Sequence, residues 1–114
     1  MVYTKNELKI LIKDFIKRVK RTIPIEKVIL FGSYAWGKPN KYSDIDLAIV
    51  SSRFRKMDDI KRIVLLLEVV RKVRMPKLVD IEPLGFTPEE LEKADYFDIA
   101  CEIKERGKVV YSGS

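Results

Sequence analysis

Apolar residues recur every three or four positions near the start of the chain, which is the period of a helix with one buried face. They are Leu8, Leu11, Ile12, Phe15, Ile16 and Val19. Pro24 interrupts this pattern, and the segment Lys27–Phe31 then has the length and composition of a short buried strand that ends at Gly32 and Ser33. The pattern therefore predicts a helix followed by a strand that leads into a turn.

Residues 44–50 (DIDLAIV) alternate acidic and apolar side chains and then become wholly apolar, which is typical of a central strand with one end open onto a site. A long helix is predicted over residues 57–74. Its sheet-facing side is predicted to consist of Ile60, Ile63, Val64, Leu67 and Val70. Leu65 and Val69 fall outside that face, so we expect them to be exposed in a monomer and available to a homodimer or hetero-oligomer.

Three further elements complete the pattern: a strand over residues 78–83, helical segments over 87–106 and a last strand over 108–111. Thr87, Pro88 and Glu90 have the spacing of a capping box that begins a helix, and Gly107 fits a helix C-cap. The alternation of helices and strands predicts an α/β or α+β fold.

The length of 114 residues and the hydrophobic share of 46% are sufficient for one modest core, so we expect a single domain over residues 1–114. The longest nearly unbroken apolar run, residues 63–70, is far shorter than the roughly 20 residues of a membrane-spanning helix. The first residues mix Lys and Asp with apolar side chains and lack the apolar centre of a secretory signal. These features predict a cytoplasmic protein.

Cys101 is the only cysteine, and the chain contains no histidine. One cysteine excludes a disulfide within the chain and a zinc site built on several thiolates. The absence of histidine excludes Ser-His-Asp and Cys-His catalysis. Acid, base or metal chemistry in this protein must therefore rest on carboxylates.

The formal net charge is +6, and much of it lies in the first predicted helix. The basic residues there are Lys5, Lys9, Lys13, Lys17, Arg18, Lys20 and Arg21. Such a helix could attract nucleic acid or an acidic partner, or it could simply present a solvated face.

Asp44 and Asp46 are the first candidates for chemistry. Side chains at i and i+2 of a strand share a face, with alpha carbons roughly 7 Å apart, and two unpaired carboxylates at that spacing repel unless a cation lies between them. Mg²⁺ suits such a pair, since it prefers one or two carboxylates together with water and phosphate oxygens. Gly32 and Ser33 are separated from Asp44 by ten residues and end the first strand, where a glycine lets phosphate approach the backbone. Each feature alone is commonplace, but together they indicate a metal and triphosphate site.

This combination resembles the minimal nucleotidyltransferases of the DNA polymerase β-like superfamily, whose motif is Gly-Ser, ten residues, and Asp-x-Asp. The flanking segments VILFGS and SDIDLAI are similar to the family's pattern as well. The resemblance implies the nucleotidyltransferase fold, a short mixed β-sheet flanked by α-helices. It also implies a third carboxylate on a later strand, for which Asp80 is preferred over Glu82 because apolar residues flank it.

The resemblance further implies a mechanism. Asp44 and Asp46 would hold two Mg²⁺ ions, and Asp80 would ligate one of them and help to deprotonate an acceptor hydroxyl. Gly32 and Ser33 would bind the triphosphate of ATP or another nucleoside triphosphate. A nucleoside monophosphate would pass to the acceptor, with release of pyrophosphate.

The chain departs from the family pattern in one respect. Family members often carry arginines within the Gly-Ser segment, where this chain has Tyr34 and Trp36. Triphosphate contacts are therefore expected from Lys38, Lys41 or Arg53. Trp36 could stack on a base or a partner, and a half-buried aromatic residue that anchors the turn is the simpler interpretation.

Single-domain members of this family resemble the antitoxin of a toxin–antitoxin pair whose partner is a nuclease of the HEPN type. The leading hypothesis is therefore transfer of AMP from ATP to a tyrosine of such a toxin. Two alternatives stay open. One is a binding module that neutralises its partner by contact alone, and the other is nucleotide transfer to an RNA end.

Overall fold

Four strands form one mixed sheet within the part of the chain that the computed structural model describes, which is residues 3–40, 43–73, 80–94 and 98–113. The elements in chain order are α1 (Lys5–Thr22), β1 (Lys27–Phe31), α2 (Ser33–Trp36), β2 (Ile45–Val50), a 3-10 helix (Ser52–Lys56), α3 (Asp59–Lys72), β3 (Ile81–Phe86), α4 (Pro88–Glu92), α5 (Ile99–Arg106) and β4 (Lys108–Ser112). Helices flank this sheet, so the predicted fold class is confirmed.

The strand order is β3-β2-β1-β4. Strand β1 is antiparallel to both β2 and β4, whereas β2 and β3 are parallel, with α3 in the crossover between them. The C-terminal end of β1 therefore lies beside the N-terminal ends of β2 and β3. Phe31 is paired with Asp46, and Asp46 with Glu82. We call the group Asp44, Asp46, Asp80 and Glu82 at this end of the sheet the acidic edge.

Apolar side chains cover both faces of the sheet, in two clusters that follow the alternation of the strands. Val28, Leu30, Leu47 and Ile49 belong to the larger cluster, together with the buried apolar residues of α1 and α3. The second cluster joins Ile29, Phe31, Ala48 and Val50 to Leu91, Ala100 and Ile103 of α4 and α5. Asp46 follows the alternation of Ala48 and Val50, so it shares the face of the second cluster.

Helix α1 has the predicted buried stripe. Of the six apolar residues predicted to form it, five are buried and Leu8 is half-buried. A capping box fixes its start, because the amide of Glu7 donates to the Thr4 hydroxyl at 3.1 Å and the amide of Thr4 donates to the Glu7 carboxylate at 2.8 Å. Within the described residues no helix is both long and apolar enough to cross a membrane.

Helix α3 presents the opposite face from the one predicted. Its buried residues are Arg62, Leu66, Val69 and Val70, and Leu65 is half-buried against the larger cluster. The residues predicted to cover the sheet are exposed instead, with the exception of Val70. Apolar side chains occupy most of the circumference of this helix, so periodicity alone could not select a face. The charge of Arg62 indicated that its side of the helix faces solvent. In the structure Arg62 is buried instead, because hydrogen bonds with Glu90 and with the Phe54 carbonyl compensate its charge.

The third strand also differs from its prediction over residues 78–83. Strand β3 runs from Ile81 to Phe86, because each of these six residues pairs with one residue of β2. Pro83 is tolerated within it because β3 is an edge strand. Leu78 and Val79 lie outside the described residues, and so does Arg74 at the predicted end of the preceding helix.

The C-terminal elements follow the predicted order. The capping box of Thr87 and Glu90 is present, with Pro88 at the first helical position. Gly107 is the C-cap of α5, although its backbone is extended rather than left-handed. A Cβ at Gly107 would overlap Ile29 and the carbonyl of Ile103, so close packing is the reason for glycine here.

Candidate active site

Gly32 follows β1 directly and has φ 76° and ψ −156°, a conformation that is essentially restricted to glycine. A Cβ at this position would overlap Oδ2 of Asp46. The backbone of the Gly-Ser turn therefore lies against the carboxylate of Asp46, and the two parts of the sequence motif are in contact in the fold.

Helix α2 begins at Ser33 and is a single turn. The carbonyl of Gly32 accepts from the amides of Ala35 at 2.9 Å and Trp36 at 3.1 Å. Ala35 is buried beneath this turn. The first amides of a helix have no partner within the helix, so this turn can offer backbone donors to a phosphate at the acidic edge.

The four carboxyl residues of the acidic edge form two neighbouring pairs. The backbone of Asp80 lies beside Asp44, because its carbonyl accepts from the amide of Ile45 at 3.0 Å and its amide donates to Oδ1 of Asp44 at 3.4 Å. Glu82 lies beside Asp46, its register partner in the parallel pairing. Asp44 and Asp46 are half-buried, whereas Asp80 and Glu82 are exposed.

Asp46 has the strongest electrostatic perturbation at this edge. Burial, followed by the hydrogen bond with Glu82 and the negative charges of Glu82 and Asp44, raises the pKa of Asp46 from 3.8 to about 6. Burial and the two neighbouring acidic groups thus favour the protonated form of Asp46. A divalent cation at this position would reverse that preference.

The donor set suits a hard cation that also takes oxygen ligands from a substrate. Among the described residues no group of three or more Asp, Glu or Cys side chains is arranged to hold a metal ion by itself. Asp44 and Asp46 can contribute carboxylate oxygens, and phosphate oxygens of a nucleotide can complete the coordination of Mg²⁺. The acidic edge therefore fits Mg²⁺ bound together with a triphosphate.

The nearby cations differ from those predicted. Arg53 lies in the 3-10 helix after β2, at the opposite end of the strand from Asp46, so its predicted contact with the triphosphate is wrong. Lys38 is exposed just beyond α2, and its contact with the triphosphate stays a prediction. Lys41 lies outside the described residues.

Sequence reasoning missed Arg106, which belongs to the same end of the sheet. Its guanidinium lies over the ring of Trp36, 4.8 Å from the ring centre, and it is 3.4 Å from the carboxylate of Glu102. Trp36 is half-buried and packs on Phe31, which confirms it as the anchor of the turn. The antiparallel return of β4 to β1 brings α5 to this position, and no local sequence signal reveals it.

Residues 12–112 match the nucleotidyltransferase domain family. This match spans most of the chain, and it includes the Gly-Ser turn and the acidic edge. The chain belongs to the nucleotidyltransferase domain family.

Individual relatives agree with this membership. The nucleotidyltransferase domain is 27% identical over 103 residues to a candidate protein adenylyltransferase from Methanocaldococcus jannaschii, a match that covers 89% of this chain and 69% of the relative. It superposes on a crystal structure of a candidate nucleotidyltransferase from Sulfolobus solfataricus with a TM-score of 0.67 and 19% identity, over 91% of this chain and 79% of the other.

Two structures of toxin–antitoxin proteins are also similar to this nucleotidyltransferase domain. One, described with AMP-PNP, has a TM-score of 0.59 and 25% identity over 90% of this chain and 73% of the other. The second, a mutant of MntA-HpeT, has a TM-score of 0.58 and 23% identity over the same shares. The predicted family resemblance is therefore confirmed.

Proposed function

We propose that this nucleotidyltransferase transfers AMP from ATP to a tyrosine hydroxyl of a toxin protein of the HEPN type. The observation that carries the proposal is the contact of the Gly32 backbone with the Asp46 carboxylate, which brings the proposed phosphate-binding turn against the proposed metal-binding oxygens. The named activity of the Methanocaldococcus relative supports a protein acceptor. The toxin–antitoxin structure with AMP-PNP supports an adenine nucleotide and a toxin partner.

Each group at the site has a proposed role. Asp44 and Asp46 hold two Mg²⁺ ions, while Gly32 and Ser33 bind the triphosphate through their backbone and hydroxyl groups. Bound Mg²⁺ supplies the positive charge that stabilises the attacking and leaving oxygens. The acceptor oxygen forms a bond with the α-phosphorus, the bond from that phosphorus to the pyrophosphate oxygen breaks, and the hydroxyl proton passes to a carboxylate of the acidic edge.

The direct test is incubation of the protein with α-labelled ATP, Mg²⁺ and the product of the adjacent gene. We expect label on the partner protein, and we expect the double substitution Asp44→Asn with Asp46→Asn to reduce transfer at least about 10³-fold, since it removes the charge that holds the metal. No labelling by the wild type would contradict the proposal. Labelling by the double variant at the wild-type rate would exclude the proposed metal site.

The third carboxylate can be identified with matched variants. Asp80 is the assignment from the resemblance, while Glu82 contacts Asp46 directly. We propose that Asp80 is the ligand, so Asp80→Asn should reduce kcat more strongly than Glu82→Gln. The reverse order would assign the role to Glu82, and the Mg²⁺ concentration for half-maximal activity would show which variant weakens metal binding.

Arg106 is proposed to compensate for the arginines that the Gly-Ser segment lacks. Its position over Trp36 places a positive charge beside the turn that binds the triphosphate. Arg106→Ala should therefore raise the KM for ATP by about tenfold. Arg53→Ala, an exposed arginine at the other end of β2, is the matched control and should leave that KM unchanged.

The exposed apolar face of α3 favours a second candidate function, neutralisation of a partner by contact alone. The double substitution of Asp44 and Asp46 separates the two functions in cells. Catalysis predicts that this variant no longer protects against the toxin, whereas contact alone predicts full protection.

A further inference from the structure

Helix α3 has a second apolar face that the described part of the chain leaves uncovered. Its residues are Ile60, Ile63, Val64 and Leu67, with exposed fractions of 73%, 41%, 50% and 44%. They recur at i, i+3, i+4 and i+7, so they form one continuous stripe on the helix. We call them the outer stripe. A helix that is apolar on both sides is normally covered on both sides, and exposed apolar patches of this kind mark interaction surfaces.

The outer stripe borders a cleft of about 440 Å³ that leads to the acidic edge. Its walls are mostly apolar, and they come from β1, α3, β3 and the start of α5. Leu67, Leu84 and Ile99 are examples of these walls, and Asp46 and Glu82 complete the lining. One continuous space thus has apolar walls and a carboxylate end.

We propose that the outer stripe and this cleft are the docking surface for the acceptor protein, whose tyrosine side chain enters the cleft with its hydroxyl toward Asp46 and Glu82. This inference rests on the proposed function and adds the surface that recognises the acceptor. A tyrosine side chain matches both parts of this cleft. Its apolar ring can pack against the apolar walls, and its hydroxyl can approach the carboxylates of Asp46 and Glu82. A serine side chain has no apolar body that would contact those walls.

A second copy of this chain does not satisfy the same chemistry. In an isologous contact each partner presents the same patch, here α3 and β3. The described elements that line the cleft, which also include β1, β2 and α5, contain no serine, threonine or tyrosine. A dimer formed through these described elements would cover the outer stripe without bringing one of their own side-chain hydroxyls to the acidic edge.

The test uses the double variant Ile60→Asp with Val64→Asp, because both side chains are exposed and neither lines the cleft. The KM for the acceptor protein should rise at least tenfold, while the KM for ATP stays within twofold of the wild type. Val109→Asp is the matched control, since Val109 is 56% exposed on β4 at the other edge of the sheet, and it should change neither value. An unchanged KM for the acceptor in the double variant would overturn the proposal.

The tyrosine is tested separately with small acceptors. N-acetyltyrosinamide should be adenylylated at least tenfold faster than N-acetylserinamide, and Ile99→Asp in the cleft wall should abolish that preference. If Ile99→Asp instead raises the KM for ATP and leaves the acceptor unaffected, the cleft binds the nucleobase and the proposal is wrong.

Binding measurements keep this inference independent of the proposed function. If the wild type labels no protein, the proposed function fails, and calorimetry with the product of the adjacent gene still tests the surface. Binding by the wild type that the double variant weakens at least tenfold would support the docking surface, and equal binding or no binding would overturn it. Sedimentation of a wild-type dimer that the double variant dissociates would assign the outer stripe to a second copy and overturn it as well.

Discussion

The two ends of the parallel strands β2 and β3 differ in how charged side chains are arranged: opposite charges are paired at one end, and like charges lie together at the other. Near the end of β3, the buried guanidinium of Arg62 donates to the carbonyls of Phe54 at 2.7 Å, Met57 at 3.2 Å and Gly85 at 3.3 Å, and it forms an ion pair with Glu90 at 2.7 Å. We call this group the Arg62 junction. It connects the 3-10 helix, α3, β3 and α4 through a single side chain.

The acidic edge, at the start of the same strands, brings groups of like charge together. Asp46 lies beside Glu82 and near Asp44, and its pKa is raised accordingly. Burial raises the pKa of Glu90 too, but hydrogen bonds with Arg62 and with the Thr87 backbone outweigh it, so that pKa lies below its usual value. Arg62 and Glu90 compensate each other within the protein, whereas a bound cation would compensate the like charges of the acidic edge. A carboxyl group perturbed in this way, beside a cleft, is typical of a functional site.

Removal of Arg62 gives the largest expected change in stability. Arg62→Ala leaves several carbonyls of the junction without their donor and Glu90 without its partner, so we expect a loss of about 3 kcal/mol in the free energy of unfolding. Urea denaturation measures this value. A loss below about 1 kcal/mol would show that the junction is not the structural charge cluster described here.

Gly32→Ala is expected to displace Asp46 in the acidic edge by changing the backbone beside it. The alanine methyl would overlap Asp46 and would force a left-handed conformation on a residue with a Cβ, so we expect transfer activity to fall about 100-fold. Gly37→Ala is the control, since its φ of −107° is open to alanine and the close approach of its Cβ to Cα of Ser33, at 3.2 Å, requires a shift of only a few tenths of an ångström. Equal activity of the two variants would argue against the contact between Gly32 and Asp46.

Asp46→Asn should stabilise the metal-free protein at neutral pH. A carboxyl group whose pKa rises from 3.8 to about 6 on folding binds its proton more tightly in the folded state, so stability is lost as the pH rises from about 4 to about 6. At this half-buried side chain, solvent screening limits the effect to about 1 kcal/mol. Thermal unfolding in EDTA should show little difference between variant and wild type at pH 4 and the full gain at pH 7.5. A gain that does not depend on pH would contradict the assigned cause.

Arg55→Ala is expected to have the smallest effect. Arg55 pairs with Glu89 near the Arg62 junction, and the hydrogen bond with Arg55 lowers the pKa of Glu89 to about 2. Both side chains are about half-exposed to solvent, which screens such pairs. We expect no change in Tm beyond experimental error. A clear decrease would show that this exposed ion pair stabilises the fold, as the Arg62 junction does.

Local patterns were sufficient for the elements with one apolar face. Helix α1, strand β1 and the capping box at Thr87 follow from periodicity and from residue spacing, and the structure agrees with each. The buried face of helix α3 could not be predicted in this way. Its apolar residues surround the helix, and the burial of Arg62 depends on carbonyls contributed by distant elements. The start of β3 could not be predicted either, since pairing with β2 sets it.

The sequence by itself determined which groups are available for chemistry: carboxylates without histidine, and a glycine-serine pair that ten residues separate from Asp44. Asp44 and Asp46 are two residues apart, so their proximity follows from the local chain alone. Only the tertiary structure decided that Glu82 meets Asp46, that Arg106 lies over Trp36, and that the outer stripe borders the cleft. Each of these contacts joins segments that are distant in sequence, and their positions depend on strand pairing and helix packing across the whole sheet.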